Sequence, residues 1–467
     1  MTTDLSALLR PASVAVVGAA ERLTSSGGAV LRNLNLAGYG GRVIPVNPRG
    51  GTLFDLPVAT SLAEVSPPAD LAVIVIRPDA IVDAVREAAA TGHRNLLILP
   101  GGFAEAGEVG LARDRELRAL IAEHGLTVAG PNCAGVIDQL DPARPFAAAF
   151  LRAMPRGGPV AFISQSGAIA EQVIAKSHEM NLPFGSIISV GNAVQLGITE
   201  YMEHYGADPL CRVIALYVES FGDPKRFLES ARAISRDKPI IALVGGRTPP
   251  GTGAVARHTG SAAMPDDELD AMLAEAGVLK VENLRRLLVA AKGLGAFPRG
   301  LGRRVLMLSN SGGPGVLTTD AAAREGLLMA ELPTMLTDEL RAALPPEAAV
   351  ANPLDLLADA REDRFGMVFE RSLAIARPAF DLVLGLHVVP FMVDAAPVVA
   401  TLARIAAAAK VPMMHAMMGT LEDRSGWFGT LEGAGIPAFD DGEEMAVAAG
   451  YCARYRDMLG ASGDSRR

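Results

Sequence analysis

Residues 256–264 read ARHTGSAAM and place His258 behind two segments of very different character. The apolar run 239–244 has the composition of a buried parallel strand. The TPPGTG that follows, 248–253, is too rich in Pro and Gly for helix or strand. His258 is therefore expected on a loop at the carboxyl end of a strand, where open α/β sheets bind ligands. Two further segments pair an apolar strand with a Ser-polar-Ser-Gly turn and a helix: FISQSGA, with Ser164, Gln165, Ser166 and Gly167, and LSNSGGPG, with Ser311, Gly312 and Gly313. Small residues let a backbone approach a ligand closely, and the unpaired first N–H groups of a helix, with its dipole, attract anions. A neutral imidazole near such helix ends suits phosphoryl transfer, because it is a nucleophile and the helix ends can hold the charge of the phosphorylated ring. The ring needs an acceptor on its other nitrogen, and LYVES offers Glu219 at the end of the preceding strand. Bland readings stand beside these: a tight capped turn for each Ser/Gly segment, a solvated loop carboxylate for Glu219, and an ordinary surface or core histidine for His258.

The elements that must position these residues follow from composition and pattern. The 467 residues suit about three domains, and half are hydrophobic, with 49 Gly and 31 Pro. A net charge of −9 and the lack of a basic block argue against nucleic acid. The polar start MTTDLSALLR lacks the regions of a secretory signal, and no run approaches the roughly 18 apolar residues of a membrane span. Cys133, Cys211 and Cys452 form neither a disulfide framework nor a CxxC pair, so a reducing cytoplasm is expected and no metal site is assigned.

Strand-like runs alternate with helical stretches such as 80–91. SVAVVGAA, GRVIPVNP, LAVIVI, NLLILPGG and LTVAGPNC come first. VAFIS, FGSIISVGN, CRVIALYVES and KPIIALVGG follow, then VLMLS, FDLVLGLHVVP, VPMMHAMMG and IPAFDDGEE. Such alternation means doubly wound parallel sheets, so the fold class is α/β. Pro/Gly clusters near 155–159 and 297–302 divide the chain into 1–150, 151–298 and 299–460, with a polar tail at 461–467.

SVAVVGAA, VIPVNP, GPNCAG, FISQSGA, SVGN, ALYVES, ARHTGS and SNSGGPGVL, in this order from about residue 10 to about 455, resemble the α portion of NDP-forming acyl-CoA synthetases, relatives of succinyl-CoA synthetase. The resemblance implies a Rossmann-like CoA-binding domain followed by two flavodoxin-like domains. It implies a phosphorylated His258 oriented by Glu219, facing helix ends at Ser164–Gly167 and Ser311–Gly313. It implies CoA contacts at Gly18, Ala19, Ser26 and Gly27; at Asn47 and Pro48; at Ile76, Arg77 and Pro78; and at Gly101, Asn132 and Cys133. Cys133 reads better as a small filler near the CoA thiol than as a nucleophile. The family's ATP-grasp domain is expected on a separate β subunit that holds Mg-ADP or Mg-ATP, in an α2β2-type oligomer. The reaction implied interconverts acyl-CoA, phosphate and ADP with carboxylic acid, CoA and ATP. Two departures bear on substrate contacts: Val194 and Gln195 stand where relatives carry an acidic residue after SVGN, and AAMPD at 262–266 replaces Leu-Ala-Gly-Ser-Asp. A CoA-binding regulatory homologue without synthesis is the alternative. A nicotinamide dehydrogenase is disfavoured, because GxGxxG spacing is absent and VNP stands where an acidic residue would close the second strand.

Overall fold

A computed structural model describes residues 4–259, 264–374, 379–409 and 411–464, apart from the side chains of 256–259 and 461–464. The chain divides into two compact units, Met1–Glu282 and Asn283–Arg467. Every run expected to be a strand contains one. Each unit is built from α/β layers in which apolar strands are covered by helices.

The first unit holds two large sheets and a two-stranded ribbon, Thr52–Leu53 with Leu56–Pro57. One is wholly parallel, in the order Arg42–Val46, Ser13–Val17, Leu71–Ile74, Asn95–Ile98, Thr127–Ala129. The other runs Val278–Val281, Ile240–Val244, Val213–Val218, Val160–Ser164, Phe184–Ser189, and is extended by antiparallel Gly135–Asp138 and Phe146–Ala149, so it draws on residues either side of 150. The second unit repeats the plan: Leu328–Met329, Arg304–Ser309, Leu382–Val389, Met413–Gly419, Ala438–Phe439, with Leu354–Asp355 also paired to Arg304–Ser309. In each of the three large sheets the first strand of the parallel part, Ser13–Val17, Val160–Ser164 or Arg304–Ser309, is flanked by the next parallel strand on one side and by a later one on the other. The winding therefore reverses beside the first strand, and a crevice opens at its carboxyl end.

The sheets of the first unit are tied together by Arg10. Its guanidinium lies 2.5 Å from Asp208 and 3.4 Å from the fully buried Asp138. Burial pushes the Asp138 carboxyl up, and the Arg10 charge opposes that shift.

One expectation is corrected. The segment read as a Pro/Gly loop is the helix Pro249–Thr259, which carries His258 in its last turn. Two prolines are no obstacle where they stand, because the first helical residues need no intrahelical N–H partner. Thr248 caps the helix, its Oγ1 accepting from the Gly251 N–H at 3.2 Å.

Candidate functional site

The first sheet's reversal point lies between Ser13–Val17 and Leu71–Ile74, and the turn after the former is built for close approach. Gly18 has φ +93°, and a Cβ there would meet the Val75 carbonyl oxygen at 2.6 Å. Ser25 caps the next helix, Ser26–Leu36, accepting from the Gly28 N–H, while a Cβ on Gly27 would sit 2.2 Å from the Gly18 carbonyl oxygen. Asn47 donates its amide to the Ala19 carbonyl oxygen at 2.9 Å, joining the ends of the two neighbouring strands. Pro48 follows it, and Pro78 opens the helix Pro78–Ala90.

A cleft of about 1360 Å³ runs from this reversal point to the corresponding one of the second sheet. Ser26, Ile76, Arg77, Gly101, Asn132 and Cys133 line it from the first sheet; Gln165, Ser166 and Gly167 line it from the second. Gly18, Ala19, Gly27, Asn47, Pro48 and Pro78 are not in its wall, and those whose contacts are described above shape the turns behind it. Cys133 is buried, its Sγ donating to the Ile98 carbonyl oxygen at 3.4 Å, and burial pushes its thiol up to about 12. A thiol so held is no nucleophile at neutral pH.

The helix Gly167–Met180 presents its amino-terminal turn to the cleft. Ser166 caps it, accepting from the Ile169 N–H at 3.4 Å. Beneath the turn the buried Ser164 Oγ donates to the Ser166 carbonyl oxygen at 2.8 Å and accepts from the Ser166 N–H at 3.1 Å. Gln165 Nε2 donates to the Ser220 carbonyl oxygen at 2.8 Å, and its Oε1 accepts from the backbone N–H groups of Glu219 and Ser220. Gln165 thus acts as a clamp on the Glu219 turn, with both ends of its amide engaged.

The second unit contains the same device. Ser309 Oγ donates to the Ser311 carbonyl oxygen at 2.8 Å and accepts from the Ser311 N–H at 3.0 Å. Asn310 exchanges two hydrogen bonds with the Val388 backbone at 2.9 and 2.8 Å. The helix Gly312–Arg324 starts there, at the reversal point of the third sheet. The two Ser-polar-Ser-Gly segments therefore share the bonds of their first serine, while Ser311, unlike Ser166, makes no side-chain cap.

Glu219 ends the strand Val213–Val218, which pairs in parallel with Ile240–Val244. The turns after both strands lie side by side: a Cβ on Gly245 would be 3.6 Å from Glu219 Cγ. The Tyr217 hydroxyl donates to Glu219 Oε1 at 3.0 Å and is pushed up to about 12 by burial and by that carboxylate. Glu219 lines a hollow of about 280 Å³ with 244–247 and 264–266, the segments flanking the His258 stretch. The His258 side chain itself lies outside the described residues.

Gln195, which departs from the family pattern, docks against the edge of the first sheet. Its Oε1 accepts from the Val128 N–H at 2.6 Å, and its Nε2 donates to the Leu126 carbonyl oxygen at 3.0 Å. Glu105 had no signal in the sequence, and Asn192 stood in it only as the last residue of SVGN, with no role attached. Glu105 accepts the Gly102 and Phe103 N–H groups on one carboxylate oxygen and the Asn192 amide on the other. Burial raises the carboxyl, but these donors outweigh it and hold Glu105 below the ordinary carboxylate range.

Comparison with known proteins agrees with this geometry. Models of a CoA binding domain, a succinyl-CoA ligase like flavodoxin domain and a Ligase-CoA domain match residues 12–139, 157–294 and 305–463. The alpha subunit of ADP-forming acetate–CoA ligase II of Pyrococcus furiosus is 33% identical over 94% of this chain and 95% of its own length. A trans-feruloyl-CoA synthase from an unknown prokaryotic organism is 35% identical, and the match covers 75% of this chain but only 50% of that protein. The solved acetyl-coenzyme A synthetase 1 of Ca. Korarchaeum cryptofilum, in complex with phosphate and ADP, superimposes with a TM-score of 0.90 at 29% identity, covering 99% of both chains. The chain belongs to the NDP-forming acyl-CoA synthetase family, among the relatives of its acetate–CoA ligase alpha subunits.

Proposed function

We propose that the chain is the CoA- and acyl-binding subunit of an ADP-forming acyl-CoA synthetase, completed by an ATP-grasp β subunit that holds the Mg-nucleotide. The observation that carries the reading is the single cleft lined by Arg77, by Ser26 at the start of the helix Ser26–Leu36, and by the amino-terminal turn of the helix Gly167–Met180. The exposed Arg77 suits the phosphates of CoA, and the amino end of the helix Ser26–Leu36 suits its pyrophosphate. The helix end suits the phosphate that attacks the thioester carbonyl.

The steps close as follows. A phosphate oxygen bonds to the acyl carbon of acyl-CoA, and the sulfur leaves with the electron pair as CoA thiolate. His258 then attacks phosphorus of the acyl phosphate, and the carboxylate departs. The phosphoryl group passes from His258 to ADP on the partner, and the sequence is reversible. Glu219 holds the second imidazole nitrogen as acceptor, and the Gln165 clamp keeps the Glu219 turn in place. The expected domains are 1–150 for CoA, 151–298 for the phosphohistidine and 299–460 as the CoA-ligase domain, in a cytoplasmic α2β2-type assembly. No helix among the described residues is long and apolar enough to cross a membrane.

Thermal melts test the binding half of this reading. CoA raises the melting temperature of the isolated chain by mass action, while NAD does not. Equal shifts with NAD and CoA, or none with CoA, would refute it. ATP-driven acyl-CoA synthesis requires the ATP-grasp subunit, and synthesis by the chain alone would contradict the division of labour.

A further inference from the structure

The cleft is crossed by one side-chain chain that the reaction described above does not use. Asn192, in the loop after Phe184–Ser189, donates its amide to Glu105, and its Oδ1 accepts from Asn132 Nδ2 at 3.1 Å. The Asn192 loop is itself anchored on the first sheet's last turn: the Asn192 N–H donates to the Pro131 carbonyl oxygen at 2.9 Å and the Val194 N–H to that of Gly130 at 3.1 Å. Among the described residues no backbone hydrogen bond links the 101–105 turn to the second sheet. The Glu105 carboxylate closes the 101–105 turn by accepting from Gly102 N–H at 2.5 Å, and Asn192 is the side chain that ties that turn across the cleft. Ala134, two residues after Asn132, adjoins the amino end of the helix Gly167–Met180, since a Cβ on Gly167 would lie 3.1 Å from its methyl, and Asn132 lines the same cleft as that helix end. The chain Glu105–Asn192–Asn132 therefore sets the spacing between the CoA side of the cleft and the helix end that holds phosphate.

We infer that Asn192 is a positioning residue for CoA: it fixes the Gly101 wall through Glu105 and orients Asn132, so that the thiol end of CoA meets the anion site at a fixed distance. This rests on the reading of the cleft as the CoA site. The amide is matched to its place. It must donate to an ionised carboxylate on one side and accept from an amide on the other, which neither Asp nor Ala can do.

Calorimetric titration of CoA into the full chain between pH 6 and 8 tests the assignment, with a melting curve for every variant. Asn192→Ala binds CoA about tenfold more weakly, the scale of one lost hydrogen bond to a charged group. Asn192→Asp sets two carboxylates in contact, and these can share a proton only as the pH falls. Its CoA affinity is weakest at pH 8 and recovers toward pH 6, read against the wild-type slope as baseline. Wild-type affinity in Asn192→Ala, or a wild-type pH slope in Asn192→Asp, overturns the inference. Should Asn192→Ala fail to fold, the pH slope of Asn192→Asp decides alone. A wild-type chain that does not bind CoA overturns the underlying reading instead, and is told apart because it fails before any substitution is made.

Discussion

At the scale of single residues, the structure separates groups that do chemistry from groups that hold them. Gln165 was legible as part of a phosphate turn, but its amide is committed to the Glu219 turn. Gln165→Ala is therefore expected to slow phosphorylation of the chain by at least ~10-fold while leaving CoA affinity within about twofold, the loss of one or two buried hydrogen bonds being felt at the turn they hold. Stopped-flow labelling and CoA titration on the same variant separate the two effects. Cys133 takes the opposite part. With its thiol pushed up to about 12 by burial, it should resist iodoacetamide in the folded chain at pH 8, and Cys133→Ala should keep turnover within about threefold. Rapid native-state alkylation of Cys133 would contradict this. Glu105 was not legible, and Asn192 was visible only as the last residue of SVGN, because the bond between them forms only when segments 87 residues apart are brought together.

Among the elements, period and punctuation located the main strands, because runs such as VAFIS and LVLGLHVV are apolar but for a single residue and bounded by Gly, Ser or Pro. The strands that escaped are short or atypical. Val278–Val281 carries a lysine at its third position, and Phe146–Ala149 is mostly alanine, a poor strand former held by pairing with Gly135–Asp138. Helix Pro249–Thr259 was obscured because Pro and Gly were weighed without their position relative to Thr248. Gly18 tests the turn before the first helix: Gly18→Ala places a side chain at φ +93° and 2.6 Å from the Val75 carbonyl oxygen. The backbone strain alone is about 1–3 kcal/mol, and CoA-induced stabilisation should vanish with it. The sheet of the second unit makes a pH prediction. His387 and His415, on paired strands with ring centroids 6.4 Å apart, are buried, and none of their ring nitrogens has a hydrogen-bond partner among the described residues. Burial pushes them down to about 4 and about 3. Because the folded values lie below the unfolded one, both states are neutral above about pH 6.5. Below it the unfolded chain takes up protons that the folded one refuses, so stability falls between about pH 6.5 and 4. The loss reaches roughly 2 kcal/mol per histidine at pH 5. Denaturant melts should show it, His387→Leu should remove about half of the slope, and an unchanged slope would reject this cause.

For the whole molecule, one chain carries three sheets of the same winding, and in each the polar turn sits where the winding reverses. That much could be foreseen from the order of strands and Ser/Gly turns. The way the first two sheets are joined could not, since Arg10, Asp138 and Asp208 stand far apart in sequence. Arg10→Ala leaves the buried Asp138 without its cation and should destabilise the first unit by about 3–5 kcal/mol, with CoA affinity falling in proportion to unfolding. Urea melts of the variant check the magnitude. The central claim concerns phosphoryl transfer through His258, in the last turn of the helix Pro249–Thr259. Its most direct test is to incubate the chain with labelled ATP, Mg²⁺ and an ATP-grasp β subunit and to map the label by mass spectrometry. The account predicts an acid-labile, base-stable phosphate on His258 that carboxylic acid and CoA discharge, and that His258→Ala abolishes together with turnover while CoA binding persists. Label on another residue, or wild-type turnover in His258→Ala, would contradict it.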